Sequence, residues 1–100
     1  MATSSPPRVQ TVLGPVDPAS LGFTLPHEQT EIALWHVPDR WDYSALTADE
    51  PVITAELGHY RATGGSALVD VTPAGMGRDP AWLVRLARAS GLHLVTAAGW

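Results

Sequence analysis

Residues 67–98 run ALVDV, TPAGMGR, DPAWLVRLARAS, G, LHLVTAA, and the order of signals within this stretch decides the fold. Ala67–Val71 is a short apolar run with glycine before it and proline after it, the pattern of a strand covered on both faces. Asp79-Pro80 then supplies an N-cap acid and a proline at the first helical position, where a missing N–H costs nothing. The helix predicted over Pro80–Ser90 carries Leu83, Leu86 and Ala87 on one face, at spacings of three and four. Gly91 provides the left-handed stop, and Leu92–Ala98 is a further apolar strand. Two strands joined by a helix through connections this short must be parallel, with a right-handed crossover. The chain is therefore of the α/β class.

Outward from this unit, Asp49-Glu50-Pro51 announces another helix, through Val52, Ile53, Leu57 and Tyr60 to a stop at Gly64-Gly65. Acids at its start and Arg61 near its end suit the helix dipole. Before it, Phe23–Gln29 (FTLPHEQ) predicts a buried strand that ends in polar groups. Val9–Leu13 predicts a short half-buried strand broken by Gly14-Pro15, and we expect it to pair with Phe23–Glu28 as a β-hairpin at the start of the domain. Asp17–Gly22 predicts one helical turn. Met1–Arg8 is small, polar and proline-rich, which predicts a disordered tail and a domain over 9–100. Thr30–Ala48 sets Trp35, His36, Trp41 and Tyr43 in an irregular stretch that serves either as a lid or as aromatic plugs over the core.

Composition narrows the chemistry. One hundred residues make at most one domain with a modest core. With ten acidic residues against six basic, the net charge is −4, and no basic stripe is available for nucleic acid. No apolar run approaches the roughly 18 residues that cross a bilayer, and the first residues lack a signal-peptide core, so a cytoplasmic protein without a membrane partner is expected. The chain has no cysteine, which excludes disulfides and thiolate metal sites. All six basic residues are arginine, which excludes Schiff-base chemistry and any lysine-derived metal ligand within these residues.

Sites in α/β folds gather at the carboxyl ends of parallel strands. Three such ends, His27–Gln29, Asp70–Thr72 and Thr96–Trp100, are predicted to converge on one mouth. Residues two apart in a strand share a face, so His27 and Gln29 could begin a metal site. His36, His59 and His93 read as structural or solvated. Asp70, a carboxylate at the end of an apolar strand, needs a partner; it orients a metal-bound histidine or caps the following turn. Thr72 and Trp100 are candidate pocket residues beside it. The glycines at 75 and 77 match neither the dinucleotide nor the Walker pattern, and Asp79 would repel a phosphate there.

The segment VQTVLGPVDPASLGFTLPHEQ (9–29), followed by GGSALVDVTPAGMGRDPAWLVRLARASGLHLVTAAGW (64–100), resembles the opening third of the phosphotriesterase family of the amidohydrolase superfamily. GFTLPHE, VDVTPAGMGRD and TAAGW carry the likeness, in the family's order and separation. The resemblance implies the N-terminal part, about three βα units, of a TIM (β/α)₈ barrel preceded by a short β-hairpin. It implies hydrolysis of phosphotriesters, lactones or carboxylic esters, with small-molecule substrates and two divalent metal ions, zinc being the expected one. Such ions lower the pKa of a bound water from about 15.7 to about 7 and polarise the bond under attack. Carried over residue by residue, His27 is a metal ligand, and Gln29 stands where the family's His-x-His motif has its second histidine. An amide oxygen is a poorer zinc ligand than imidazole. The family's remaining ligands, a carboxylated lysine, two histidines and an aspartate, have no counterpart here, so no catalytic residue is assigned within the chain.

Three readings follow. The first is a portion of a metal-dependent hydrolase, inactive by itself. The second is a non-catalytic module that binds a ligand or forms a homo-oligomer through the open edge of its last strand. The third, resting on the βαβ unit alone, is a small doubly wound nucleotide-binding domain.

Overall fold

A computed structural model of the chain describes residues 6–30 and 49–98. Strands β1 (Val9–Thr11) and β2 (Gly14–Val16) form an antiparallel hairpin. Strands β3 (Phe23–Glu28), β4 (Gly65–Asp70) and β5 (His93–Thr96) form a parallel sheet in that order. Helix α1 (Glu50–Ala62) precedes β4, and helix α2 (Pro80–Ser90) joins β4 to β5. The α/β class and the parallel unit are as the sequence predicts.

Both helices start for the predicted reason. The Asp49 carboxylate accepts from the Val52 N–H and that of Asp79 from the Trp82 N–H, each at 3.2 Å, with proline in the first turn. Helix α2 stops at Gly91, whose φ of 73° is open to glycine at little cost. The predicted turn is also present, as a 3₁₀ turn over Pro18–Ser20 capped by Asp17.

Sequential strand order with right-handed crossovers puts both helices on the same face of the sheet, and there α1 and α2 pack against each other. A βαβαβ half of a doubly wound sheet has the same sequential order and one-sided helical layer, so this arrangement is common to a barrel wall and to such a half. The core lies between this helical layer and the sheet. It is built from Leu57 of α1, Leu68 and Leu94 of the sheet, and Trp82, Leu83, Leu86 and Ala87 of α2. Leu86 and Leu94 are completely buried. The Arg61 guanidinium adds a 2.8 Å bond to the Gly91 carbonyl, tying the end of α1 to the stop after α2. The exposed ion pair Glu50–Arg85 links the same helices and contributes at most about 1 kcal/mol.

Three expectations about the strands change. First, the hairpin partner of β1 is β2, not Phe23–Glu28: the Thr11 hydroxyl donates to the Gly14 carbonyl at 2.7 Å and accepts from the Leu13 N–H, closing a tight turn. Gly14, with φ of 128°, continues the hairpin instead of breaking it. Second, β3 is not a buried strand. It pairs only with β4 among the described residues, and none of its residues is buried; Phe23 is 65% exposed. Third, the outer edge of β5 is partly covered, because the Val12 N–H of the hairpin donates to the Leu94 carbonyl at 2.8 Å. That bond weakens the case for an open edge that pairs with a second copy.

The β3–β4 register contains two opposed irregularities. Phe23 pairs with Gly65 and Thr24 with Ala67, so β4 carries an extra residue; Leu25 pairs with Leu68 and Glu28 with Asp70, so β3 then carries one. The second bulge falls on Pro26-His27, where proline has no N–H for the ladder. At the first, the Tyr60 hydroxyl bridges the two strands, 2.7 Å from the Ala67 carbonyl and 3.0 Å from that of Phe23. The Tyr60 ring lies over Gly65, where an added Cβ would overlap ring carbons. We therefore expect Gly65→Ala to destabilise the fold by about 1–3 kcal/mol through forced displacement of Tyr60. Urea unfolding followed by tryptophan fluorescence measures this, and an unchanged midpoint would show that the ring moves aside freely.

Candidate functional site at the carboxyl ends of the strands

The carboxyl ends of β3, β4 and β5 meet at one level. Glu28 pairs with Asp70 and Asp70 with Thr96, and the next bonds of the ladder, Val71 N–H to Glu28 carbonyl (2.8 Å) and Ala97 N–H to Asp70 carbonyl (2.9 Å), close the same rung. The predicted convergence of His27–Gln29, Asp70–Thr72 and the start of the third segment is thus observed for the described residues. Trp100 and the segment 31–48, with Trp35, His36, Trp41 and Tyr43, lie outside them, as do residues 1–5 of the expected tail.

Asp70 is 2% exposed and is the hub of a hydrogen-bonded chain. Its Oδ2 accepts from both the Thr30 N–H (3.0 Å) and the Thr30 hydroxyl (2.7 Å), and its Oδ1 accepts from the Thr72 N–H (2.9 Å). The Trp82 indole N–H of α2 donates in turn to the Thr30 hydroxyl at 3.0 Å. Thr30, Thr72 and Trp82 are themselves buried. Of the two roles open to Asp70, these are the bonds of the turn cap, with a second set reaching back to the residue after β3. Among the described residues its hydrogen-bond donors are Thr30 and Thr72, and no histidine is one of them. A water-sized cavity of about 10 Å³ lies against this chain, lined by Thr30, Asp70, Thr72, Arg78 and Trp82 among others.

The network also reveals which way each strand end faces. Asp70 sits two residues from the core residue Leu68 and reaches Thr30, which holds Trp82 of the helical layer; Asp70 and Thr30 therefore lie on the helix side of the sheet. Alternation back from Thr30 puts Glu28 on that side, matching its pairing with Asp70, and turns Gln29 and His27 to the opposite face. His27 is exposed there and Gln29 half-buried. The expectation that these two share a face away from Glu28 agrees with this geometry.

An imidazole nitrogen and an amide oxygen are donor types that suit a divalent ion, and His27 and Gln29 present one of each. Two donors are half of a tetrahedral set, and among the described residues no three His, Asp or Glu side chains gather as a metal-holding group. An ion at this place would draw its other ligands from outside the described residues.

The loop between β4 and α2 has a structural task. A 3₁₀ turn over Ala74–Met76 and Gly77, with φ of 94°, bring Arg78 to where its guanidinium donates to the Ala97 carbonyl at 2.9 Å. This fastens the loop to the end of β5. A larger cleft of about 340 Å³, lined by Phe23, Leu25, Tyr60 and Gly65 among others, opens at the opposite end of β3, away from the strand carboxyl ends. Among the described residues no helix is long and apolar enough to cross a membrane.

Sequence reasoning missed Thr30 and Trp82 as members of the site. Thr30 reads as the first residue of a loop, and Trp82 as a core aromatic; the available signal was Asp70, whose burial demanded donors. We expect Asp70→Asn, which removes the charge and turns an amide N–H₂ toward existing donors, to cost about 2–3 kcal/mol. Chemical denaturation measures the loss, and a variant as stable as the parent would mean that these bonds are readily replaced by water.

Comparison with known proteins gives a consistent result. A sequence model of the Phosphotriesterase family matches residues 7–100. The N-acetyltaurine hydrolase of Tetraodon nigroviridis is 33% identical, over 93% of this chain and 35% of its own length. The lactonase Lmo2620 of Listeria monocytogenes superposes with a TM-score of 0.79 at 26% identity, over 93% of this chain and 28% of that one. The organophosphorus hydrolase of Deinococcus radiodurans superposes with a TM-score of 0.73 at 32% identity, again over 93% and 28%. The chain thus spans about a third of the length of the relatives it matches.

Proposed function

The chain belongs to the phosphotriesterase family, and on that premise we propose that these residues form about three βα units of a metal-dependent hydrolase barrel and contribute one strand end to its metal site. The observation that carries this reading is the common rung of Glu28, Asp70 and Thr96, which brings three parallel strand ends to one edge with both helices behind the sheet. A barrel wall needs this one-sided arrangement, since the face without helices becomes the interior.

His27, supported by Gln29, would hold part of a divalent metal centre on that interior face. When bound, such an ion supplies a water acidic enough to ionise near neutral pH and polarises the substrate oxygen. The residues of this chain hold the donors in place; they offer no described base or nucleophile of their own beside them. The relatives are named for an N-acylated amine, a lactone and organophosphorus compounds. These share attack of water on a carbonyl or phosphoryl centre, and we assign this chain to the same reaction type. The particular substrate is set by loops at the barrel mouth.

On this reading the 100 residues alone do not turn over substrate. The test is to load the purified chain with Zn²⁺ or Co²⁺ and offer an aryl phosphotriester, a lactone and an N-acyl amine. We expect no metal-dependent hydrolysis above that of His27→Ala. Turnover that requires both metal and His27 would overturn the claim of inactivity while supporting the metal site.

A second reading, a ligand-binding module without catalysis, is favoured by one residue. Gln29 gives the site a neutral oxygen where imidazole would bind more strongly. Gln29→His distinguishes the two: a metal site weakened only by this residue should gain at least about 10-fold in Co²⁺ affinity. A purely ligand-binding site should gain nothing.

A further inference from the structure

Strand β3 has a problem of direction. Its pairing with β4 is regular at Leu25–Leu68, with Leu25 packed against the core from the helix side. Continued without a bulge, β3 would place His27 two residues on from Leu25, on the same helix-facing side, and Gln29 likewise. The extra residue at Pro26-His27 inverts the alternation, so that Glu28 pairs with Asp70 and the donor pair turns to the other face. Proline alone does not hold this inversion. It removes one ladder bond and leaves the strand end free to fray.

We propose that Thr30, Asp70 and Trp82 are positioning residues whose hydrogen-bonded chain locks the Pro26-His27 bulge and so aims His27 and Gln29 at the face away from the helices. This rests on the reading of His27 as a metal donor. The chain is suited to the task because it grips β3 immediately beyond the donors. Asp70 takes both the main-chain and side-chain donors of Thr30, which fixes the residue's position and its rotamer together. Trp82 anchors the same hydroxyl to α2, and the Thr72 N–H fixes the second carboxylate oxygen. All four residues are at most 7% exposed, so water competes poorly for these bonds. The Val71 N–H, bonded to the Glu28 carbonyl, reports on whether the inverted register is closed.

Thr30→Val keeps the shape and the main-chain donor but removes the hydroxyl; Thr30→Ser restores it. Amide hydrogen exchange at Val71 and a Co²⁺ titration followed on the His27 ring signals are the two measurements, with Ala97, bonded to Asp70 across the other strand pair, as the internal control. In Thr30→Val we expect Val71 to exchange at least about 10-fold faster while Ala97 is unchanged, and Co²⁺ affinity at His27 to fall by about 10- to 100-fold. Thr30→Ser should recover both. Unchanged Val71 exchange in Thr30→Val overturns the proposal, as does equal acceleration at Ala97 or failure of Thr30→Ser to rescue. Should Thr30→Val not fold, Trp82→Phe deletes a single donor and is read by the same criteria. A parent chain in which His27 ignores Co²⁺ would refute the metal reading, whereas the exchange measurements would still decide whether the lock exists.

Discussion

The carboxylate of Asp70 is the constraint on which the arrangement of the strand ends depends. A charged group buried to 2% exposure is tolerated only when donors surround it, and here three N–H or O–H groups do so, two from Thr30 and one from Thr72. The residues tied together in this way belong to different parts of the chain. Thr72 begins the loop toward α2, Thr30 ends the path of β3, and through Trp82 the helix itself joins the set. Satisfying one charge thus fixes a loop, a strand end and a helix relative to each other.

This matters because β3 is held weakly by the usual means. It contributes only partly buried side chains to the core, and its ladder is interrupted twice. At each interruption a side chain from elsewhere in the chain closes the gap. Tyr60 of α1 bridges the carbonyls of Phe23 and Ala67 at the first, and the Asp70 set grips Thr30 beyond the second. The two register shifts run in opposite directions, so the strand enters and leaves the sheet in step with β4 and is displaced only between the clamps. The helices remain on one side, and the strand ends stay free of them on the other.

Much of this was legible in the sequence, and the remainder was not for definable reasons. Helix α2, its Asp79 cap, its Gly91 stop and its Leu83, Leu86, Ala87 face depend on neighbours within four residues, and local pattern suffices for them. The same holds for the convergence of strand ends, which follows from crossover handedness. The hairpin partner was misassigned because Gly14-Pro15 resembles a chain break, yet a glycine at φ of 128° beside the Thr11 hydroxyl makes a strand start. The burial of β3 falls short of what its apolar residues suggest, and Pro26 is the local sign of this, since proline in a strand belongs at an edge or a bulge. The Asp70–Thr30 bond joins residues 40 apart, and nothing in the local pattern of either names the other. What sequence did show was the need: an acid closing an apolar strand must be answered from somewhere.

That division of labour bears on Gln29. The devices that aim the end of β3 act on the main chain and on Thr30, and none of them touches the side chain at position 29. Whatever residue stands there is carried to the same face by the bulge and held there by the clamp. On the proposed reading, the departure from the His-x-His pattern is therefore one of ligand strength and not of geometry: the scaffold presents position 29 as it would present an imidazole, and the amide oxygen is simply the weaker donor. On the same reading, two clamps and a bulge that aim two donors, at the cost of a ladder interrupted twice, organise the strand for that face of the sheet. The buried Asp70 is accordingly better understood as support for the site's direction than as a part of its chemistry.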